Sequence, residues 1–228
     1  MRLHRFYLDS IPEVDQFPIT DERLVHQIKS VLRYKEGEKC IVFSNGTDDH
    51  IVSIDDLRNH EILVHKTVII PAKLLPPRRI IAAVSIIKKD LFELVVQKLT
   101  ELGVETIVPI ISDRTVKQDV RLDRLALISK ESVEQSGRNT LVDIKEPMTL
   151  QTSLESFPYP SVVFDTEHSD TTPVSEKTIV LYIGPEGGWS DADRELFRKH
   201  NTVSRTLGPN TLRAETAAII GTYELLWH

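Results

Sequence analysis

Apolar positions change their period once along this chain, at the proline-rich stretch Pro71-Ala72-Lys73-Leu74-Leu75-Pro76-Pro77. Proline removes a backbone donor and disfavours helix, so such a stretch separates units rather than continuing one. Before it the apolar runs are short and β-branched. Residues 39–43 and 50–54 flank Asn45-Gly46, a dipeptide suited to a tight hairpin turn, and residues 61–70 form a third run. Residues 21–32 can supply one short helix. The expected first unit, residues 1–72, is a small barrel-like β module.

After the break, residues 73–228, strand and helix signals alternate. Residues 79–87 are nearly all apolar, as buried parallel strands are. Residues 90–102 place Leu91, Val95, Leu99 and Leu102 on one helical face, with Asp90 as the expected cap, Glu93 at the box position and Gly103 as terminator. A strand is expected at 104–111. Leu122, Leu125, Ser129 and Val133 mark a second helix that Gly137 ends. Further strands are expected at 141–144, 161–165, 178–183 and 203–207. Ser190 with Asp193 caps a helix through Lys199, and residues 213–227 form the closing helix. The pattern predicts an α/β domain with a mainly parallel sheet.

Glycine placement is the most informative chemical feature. A dinucleotide-binding fold carries its glycine fingerprint at the first strand-to-helix turn. Here the first strand leads into Lys88-Lys89-Asp90, with no glycine. The cluster comes late instead, as Ile183-Gly184-Pro185-Glu186-Gly187-Gly188-Trp189, after a strand and before a capped helix. A second loop, Leu207-Gly208-Pro209-Asn210-Thr211-Leu212-Arg213, follows the next strand. Ligands of open α/β sheets bind at strand carboxyl ends, so two such loops at adjacent strand ends predict one pocket. Neither loop has the Lys-Ser/Thr of a phosphate loop, and no G-x-S-x-G elbow occurs. The loops are poor in cations and include Glu186, which suits a neutral adenosine with a cationic sulfonium better than a phosphorylated ligand. The alternative is that both loops are simply tight turns.

Composition adds limits. Cys40 is the one cysteine of 228 residues, which excludes an internal disulfide and a multi-cysteine zinc site and fits a reducing cytoplasm. No run of about 18 apolar residues exists, and the start, Met1-Arg2-Leu3-His4-Arg5, lacks a secretory apolar stretch. Neither membrane association nor metal is expected. A formal net charge of −6 argues against a general nucleic-acid binder. The cations are uneven, however: 10 lie in residues 1–75, 12 in 76–150 and 6 in 151–228, so an RNA partner should lie along the first two thirds.

The glycine loops, together with Leu212-Arg213-Ala214-Glu215-Thr216-Ala217, resemble the signature segments of the ribosomal RNA small subunit methyltransferase E family. So do residues 97–104, Arg114-Thr115-Val116 and Glu134-Gln135-Ser136-Gly137-Arg138, while His26, Val31-Leu32-Arg33 and Gly37 look like that family's N-terminal module. The likeness runs from about Arg2 to Glu224. It implies the SPOUT class, whose parallel sheet is threaded into a trefoil knot that periodicity could not suggest, preceded by a PUA-like β barrel that contacts RNA. It also implies homodimers packed through the knot, S-adenosylmethionine as cofactor, and methylation of uridine N3 in small-subunit ribosomal RNA or the 30S particle. Gln27 stands where the family often has a second His, Asn210-Thr211 replaces an Arg and an aliphatic residue, and Ala214 replaces a Thr.

Moving a methyl group from sulfonium to uracil N3 requires alignment, plus a base or a cation that stabilises the uracil anion. Arg213 opens the last helix, where a cation opposes the helix dipole, which hints at function; an ion pair with Glu215 or Glu186 is the alternative. Glu215 is a base candidate, although an ordinary first-turn acid is the favoured reading of it. Donor contacts are expected from Ile183 to Gly188, from Leu207, Gly208, Thr211, Leu212 and Thr216, and from a third loop carrying Phe164, Asp165 and Glu167. Lys88, Lys89, Arg114 and Arg138 are expected on the RNA side, with helix capping the alternative for Arg138 and solvated surface the alternative for the others. Arg2, Arg5, His26 and Arg33 are the expected RNA face of the first unit, although His26 could equally be buried. Two rivals share these features: a knotted methyltransferase acting on transfer RNA or another base, and a non-catalytic RNA-binding or ribosome-assembly protein.

Overall fold

Two compact units divide the chain, Met1–Leu74 with Val133–Leu141, and Leu75–Ser132 with Val142–His228. The computed structural model describes residues 3–72, 76–116, 119–167 and 173–228; Arg2 lies outside the described residues.

The first unit holds strands β1 (Arg5–Tyr7), β2 (Gln16–Ile19), β3 (Lys39–Phe43), β4 (Asp49–Leu57) and β5 (Ile62–Ile70). Their order is β1-β3-β4-β5-β2, antiparallel except for β1 beside β3. Gly46 takes φ 74°, the left-handed conformation that the turn between β3 and β4 demands. Register shifts at Ile51/Val52 and Ile54/Asp56 bend β4 along β5 and curl the sheet over Phe6, Phe17, Ile28, Val42, Val52 and Ile62. β1 and β2 had no expectation attached to them, because three or four residues carry too little alternation to read.

Helix α1 (Glu22–His26) starts under Asp21, whose carboxylate accepts the Leu24 N–H at 3.0 Å. It widens into a π-helical turn over Gln27–Val31 and is followed by Arg33 at φ 56°. The expected single helix over 21–32 is therefore two differently wound pieces. His26 and Arg33 are both exposed, which removes the buried reading of His26.

Segment Val133–Leu141 completes this unit by filling the gap beside Tyr7 and Phe43. Arg5 reaches it from β1. Its Nη1 donates to the carbonyls of Val133 at 3.1 Å and Arg138 at 3.2 Å, while Nε and Nη2 fork onto Asp49 at 3.0 and 2.7 Å. Its guanidinium also lies 4.1 Å from the Phe43 ring centroid. The Asn139 amide donates to Asp49 at 2.8 Å. Arg5 is thus buried at 8% exposure with its donors turned inward. This corrects the expectation of Arg5 as an RNA contact: the Phe43 ring, a carboxylate and backbone carbonyls take the side chain out of solvent.

The second unit contains β6 (Arg79–Ser85), α2 (Lys89–Leu102), β7 (Thr106–Ile111), α3 (Leu122–Ser136), whose last residues belong to the first unit, β8 (Asp143–Ile144), β9 (Met148–Thr149), α4 (Leu150–Ser156), β10 (Ser161–Phe164), β11 (Thr178–Ile183), α5 (Asp191–Lys199), β12 (Val203–Arg205) and α6 (Ala214–Trp227). The strands form one parallel sheet ordered β12-β10-β11-β6-β7-β8, with β9 also against β7. Ile80, Ala82, Val84, Leu181 and Ile183 on one side pack with Val95, Leu99, Ala218 and Leu225 of the helices. Ile81, Val108, Tyr182, Trp189 and Phe197 build a separate cluster. Burial on both sides explains why these strands read as unbroken apolar runs.

Local signals behave as their chemistry requires. Gly103 ends α2 at φ 103°, and Ser190 with Asp193 closes a reciprocal capping box on α5. Asp90 does not cap α2. The cap is Lys88, whose backbone N–H faces the Glu186 carboxylate at 3.4 Å, so the partner comes from a distant loop. Among the described residues no helix is long and apolar enough to cross a membrane.

Candidate functional site

Parallel pairing puts the carboxyl ends of β12, β10, β11, β6 and β7 along one edge of the sheet. Both glycine loops and the cation-bearing segments after β6 and β7 leave from that edge. The order breaks at the seam between β6 and β11, the position at which open α/β sheets take ligands. One expectation is corrected here. The glycine loops do not follow adjacent strands, because β10 lies between β11 and β12. β12 has three residues, all only partly buried, and takes the sheet's edge. Chain order carries no information about this insertion.

β10 therefore lies at the middle of the candidate site, and its end is tied to both neighbours. The Asp165 N–H donates to the Arg205 carbonyl at 3.0 Å on the β12 side. On the β11 side the Trp189 indole donates to the Phe164 carbonyl at 3.2 Å. Trp189 is buried at 1% exposure and explains Gly184, since a Cβ there would stand 3.1 Å from the indole ring. The Phe164 ring is core, set against Gly221 of α6, so its side chain supports the site rather than presenting itself to a ligand.

The Asp165 carboxylate is engaged by Arg194 at 2.7 Å, and the same guanidinium reaches Glu167 at 2.9 Å and Asp191 at 3.5 Å. Burial pushes the Asp165 carboxyl up, but the Arg194 hydrogen bond and charge, with the backbone N–H groups of Glu167 and Thr166, outweigh it and leave it below the usual carboxylate value. Asp165 and Glu167 thus hold the β10 loop onto α5. Arg194 and Trp189 were not foreseen as supports. A tryptophan straight after a glycine pair is a signal that could have pointed to the second.

In the β11 loop Pro185 is buried, Glu186 and Gly187 are exposed, and the Gly188 N–H closes the turn on the Pro185 carbonyl at 2.9 Å. Arg114, from the loop after β7, donates Nη1 to the Gly187 carbonyl at 2.9 Å. In the β12 loop Gly208 and Thr211 are exposed and Leu207 and Leu212 half-buried; Gly208 takes φ 113°, which only glycine holds without strain. Both loops therefore present backbone donors and acceptors with few side chains over them.

Arg213 is the N-cap residue of α6, exposed, with no side-chain cap bond and no ion pair among the described residues. The alternative pairing with Glu215 or Glu186 is not made. Glu215 is buried at 8% exposure, again with no hydrogen bond or ion pair to its carboxylate among the described residues. Arg213 and Glu215 thus stand within one helix start, the first open to solvent and the second largely covered. Thr216 is half-buried in the first turn. Lys88 is exposed; Lys89 is 3.9 Å from Glu93. Arg138 bonds Thr140 through Nε at 2.8 Å and gives its carbonyl to Arg5, so it belongs to the first unit's network. No group of three or more His, Cys, Asp or Glu among the described residues could hold a metal ion.

The chain matches a family model described as an RNA methyltransferase domain over residues 75–223. It is 31% identical, over 96% of its length and 93% of the relative's, to ribosomal RNA small subunit methyltransferase E of Rickettsia conorii. A crystal structure of ribosomal RNA small subunit methyltransferase E from Neisseria gonorrhoeae bound to S-adenosyl methionine superposes with TM-score 0.91 at 26% identity, covering 99% of this chain and 98% of that one. A Legionella pneumophila protein solved in complex with the bound cofactor SAM gives TM-score 0.90 at 26% identity, covering 99% of this chain and 97% of that one.

Proposed function

We propose, from the premise that this chain belongs to the ribosomal RNA small subunit methyltransferase E family, that it methylates N3 of a uridine in small-subunit ribosomal RNA with S-adenosylmethionine as donor. The observation that carries the reading is the array of exposed glycine backbone on either side of β10, with Arg213 after it making no ion pair among the described residues. The loops fit the donor's chemistry. Backbone groups around Gly187 and Gly208 can bond a neutral adenosine edge, and the Glu186 carboxylate suits a positive sulfur. When bound, the donor supplies an electrophilic methyl group with a neutral thioether as leaving group. The chain's own task is to align the uracil, let N3 lose its proton and stabilise the resulting anion. Arg213 takes that last role through its guanidinium. Glu215 is the candidate proton acceptor in the same turn; its place in the helix start also gives it a structural use.

On this reading residues 1–72 form a PUA-like RNA-binding domain and residues 73–228 a trefoil-knotted SPOUT domain working in the cytoplasm. Exposed His26 and Arg33 support an RNA face on the first, and Lys88 and Arg114 one on the second. Homodimerisation is supported by α6, where Ile220, Tyr223 and Trp227 expose 44%, 50% and 50% along one i, i+3, i+7 stripe. Ile220→Lys together with Trp227→Lys should shift the sedimenting species from two chains to one. A parent protein that already sediments as a single chain removes the dimer.

Donor binding and target choice have separate tests. Labelled methyl from S-adenosylmethionine should enter small subunits or their naked RNA and not transfer RNA. Label only in transfer RNA selects the related target instead, and no heat of donor binding at all selects a non-catalytic RNA-binding protein. Gly187→Val should lower donor affinity at least tenfold while the fold survives. A Cβ there meets only the Arg114 stem, at 3.5 Å, and the branched methyls then cover exposed backbone. Unchanged affinity would move the site elsewhere.

A further inference from the structure

Arg114 makes an unusual contact for an exposed arginine, since one of its N–H groups is spent on a backbone carbonyl of the donor-side loop. Nη1 donates to Gly187 O at 2.9 Å, and the side-chain stem lies beside the Gly187 Cα, where a Cβ would meet Cβ and Cδ of Arg114 at 3.5 and 3.6 Å. The remaining Nε and Nη2 edge has no partner among the described residues, and the residue is exposed.

The segment that carries Arg114 is braced. Thr115 Oγ1 accepts the Ser112 N–H at 3.0 Å and lies 2.9 Å from Ser112 Oγ, which in turn is 3.2 Å from Ser85 Oγ of β6. All three hydroxyl residues are buried. The Asp113 N–H points at the buried Asp193 carboxylate of the α5 capping box at 3.4 Å. The loop after β7 is thereby attached to the glycine turn at Gly187 and to the first turn of α5 at Asp193. A force on the guanidinium is transmitted to the glycine backbone rather than lost in a floppy loop.

We propose that Arg114 is a positioning residue that couples RNA to the donor. Its Nε–Nη2 edge takes a phosphate of the RNA substrate while Nη1 holds the Gly187 carbonyl, so each contact fixes the guanidinium for the other. The proposal rests on the methyltransferase reading above. A planar fork can serve both partners at once, because the two edges point in different directions. Lysine, a point donor on a flexible stem, cannot. The coupling is positive and reciprocal: bound RNA tightens the donor, and bound donor tightens RNA.

The test uses labelled S-adenosylhomocysteine, which binds as the donor does but transfers nothing, in equilibrium dialysis with and without saturating unmethylated small ribosomal subunits. Wild-type protein should bind it about fivefold or more tightly when subunits are present, the lower edge of ordinary two-site coupling. R114A should lose that ratio, falling to near one, while its affinity in the absence of subunits drops only severalfold. R114K should recover much of the affinity without subunits and none of the ratio, an outcome that a simple bracing role would not give. A ratio kept by R114A, or absent from wild type, overturns the coupling. Wild type that binds no S-adenosylhomocysteine under either condition overturns the methyltransferase reading itself, so the two failures are distinct.

Discussion

Arg5→Ala should be among the most destabilising single substitutions in the first unit, at about 3–5 kcal/mol, the usual cost of removing one partner from a buried ion pair. The side chain is 6% exposed and meets Asp49 through two N–H groups. Its loss leaves Asp49 with the Asn139 amide, takes the guanidinium donor from the Val133 and Arg138 carbonyls, and opens a void over Phe43. The positive charge also stands beside the carbonyls of the last turn of α3, where the helix dipole favours it. Arg5→Lys keeps charge but not the fork, and should fall between alanine and the parent. Urea unfolding followed by tyrosine fluorescence measures the difference. A loss under 1 kcal/mol for the alanine variant would show that water replaces the network easily.

Gly221→Val should cost about 3 kcal/mol and weaken donor binding together. A Cβ at this position would lie 2.5 and 2.7 Å from two atoms of the Phe164 ring, which is itself packed in the core. Neither partner is a flexible tip, so ring or helix must move, and overpacking of this kind costs about 1–3 kcal/mol before valine's two γ-methyl groups are considered. Alanine there should also lose stability, although in an open helix it would gain up to about 1 kcal/mol over glycine. Because Phe164 ends the strand between the two glycine loops, its displacement reaches both. Phe164→Leu in the Gly221→Ala background should restore part of the loss, measurable as a favourable coupling in a double-mutant cycle. Additive losses would mean that the helix shifts and leaves the ring in place.

Local chemistry was legible along the chain. Residues 178–183 read as a strand and form one with those bounds, and Gly103 and the Ser190–Asp193 box act where their spacing puts them. Each depends on neighbours within a few residues. What the chain hides is pairing at long range. The insertion of β10 between β11 and β12 is invisible to periodicity, since an apolar run reports burial and not which strand lies beside it. The cap of α2 escaped for the same reason: Asp90 has the right chemistry and position, but Glu186, nearly a hundred residues later, approaches the helix start. The glycine loops were found from composition, whereas their supports Trp189, Arg194 and Gly221 were not, because a buried tryptophan, a paired arginine and a helical glycine have ordinary uses elsewhere.

Residues 133–141 belong with a unit whose other residues end at Leu74. A fragment cut at the proline-rich junction would carry Arg5, Asp49, Tyr7 and Phe43 without the carbonyls, amide and apolar side chains that complete them. During synthesis, at about 5–20 residues per second, that gap lasts several seconds, throughout which an N-terminal portion is exposed as an unfinished surface. Anyone seeking the smallest autonomous piece of this protein must therefore splice the two stretches together rather than truncate.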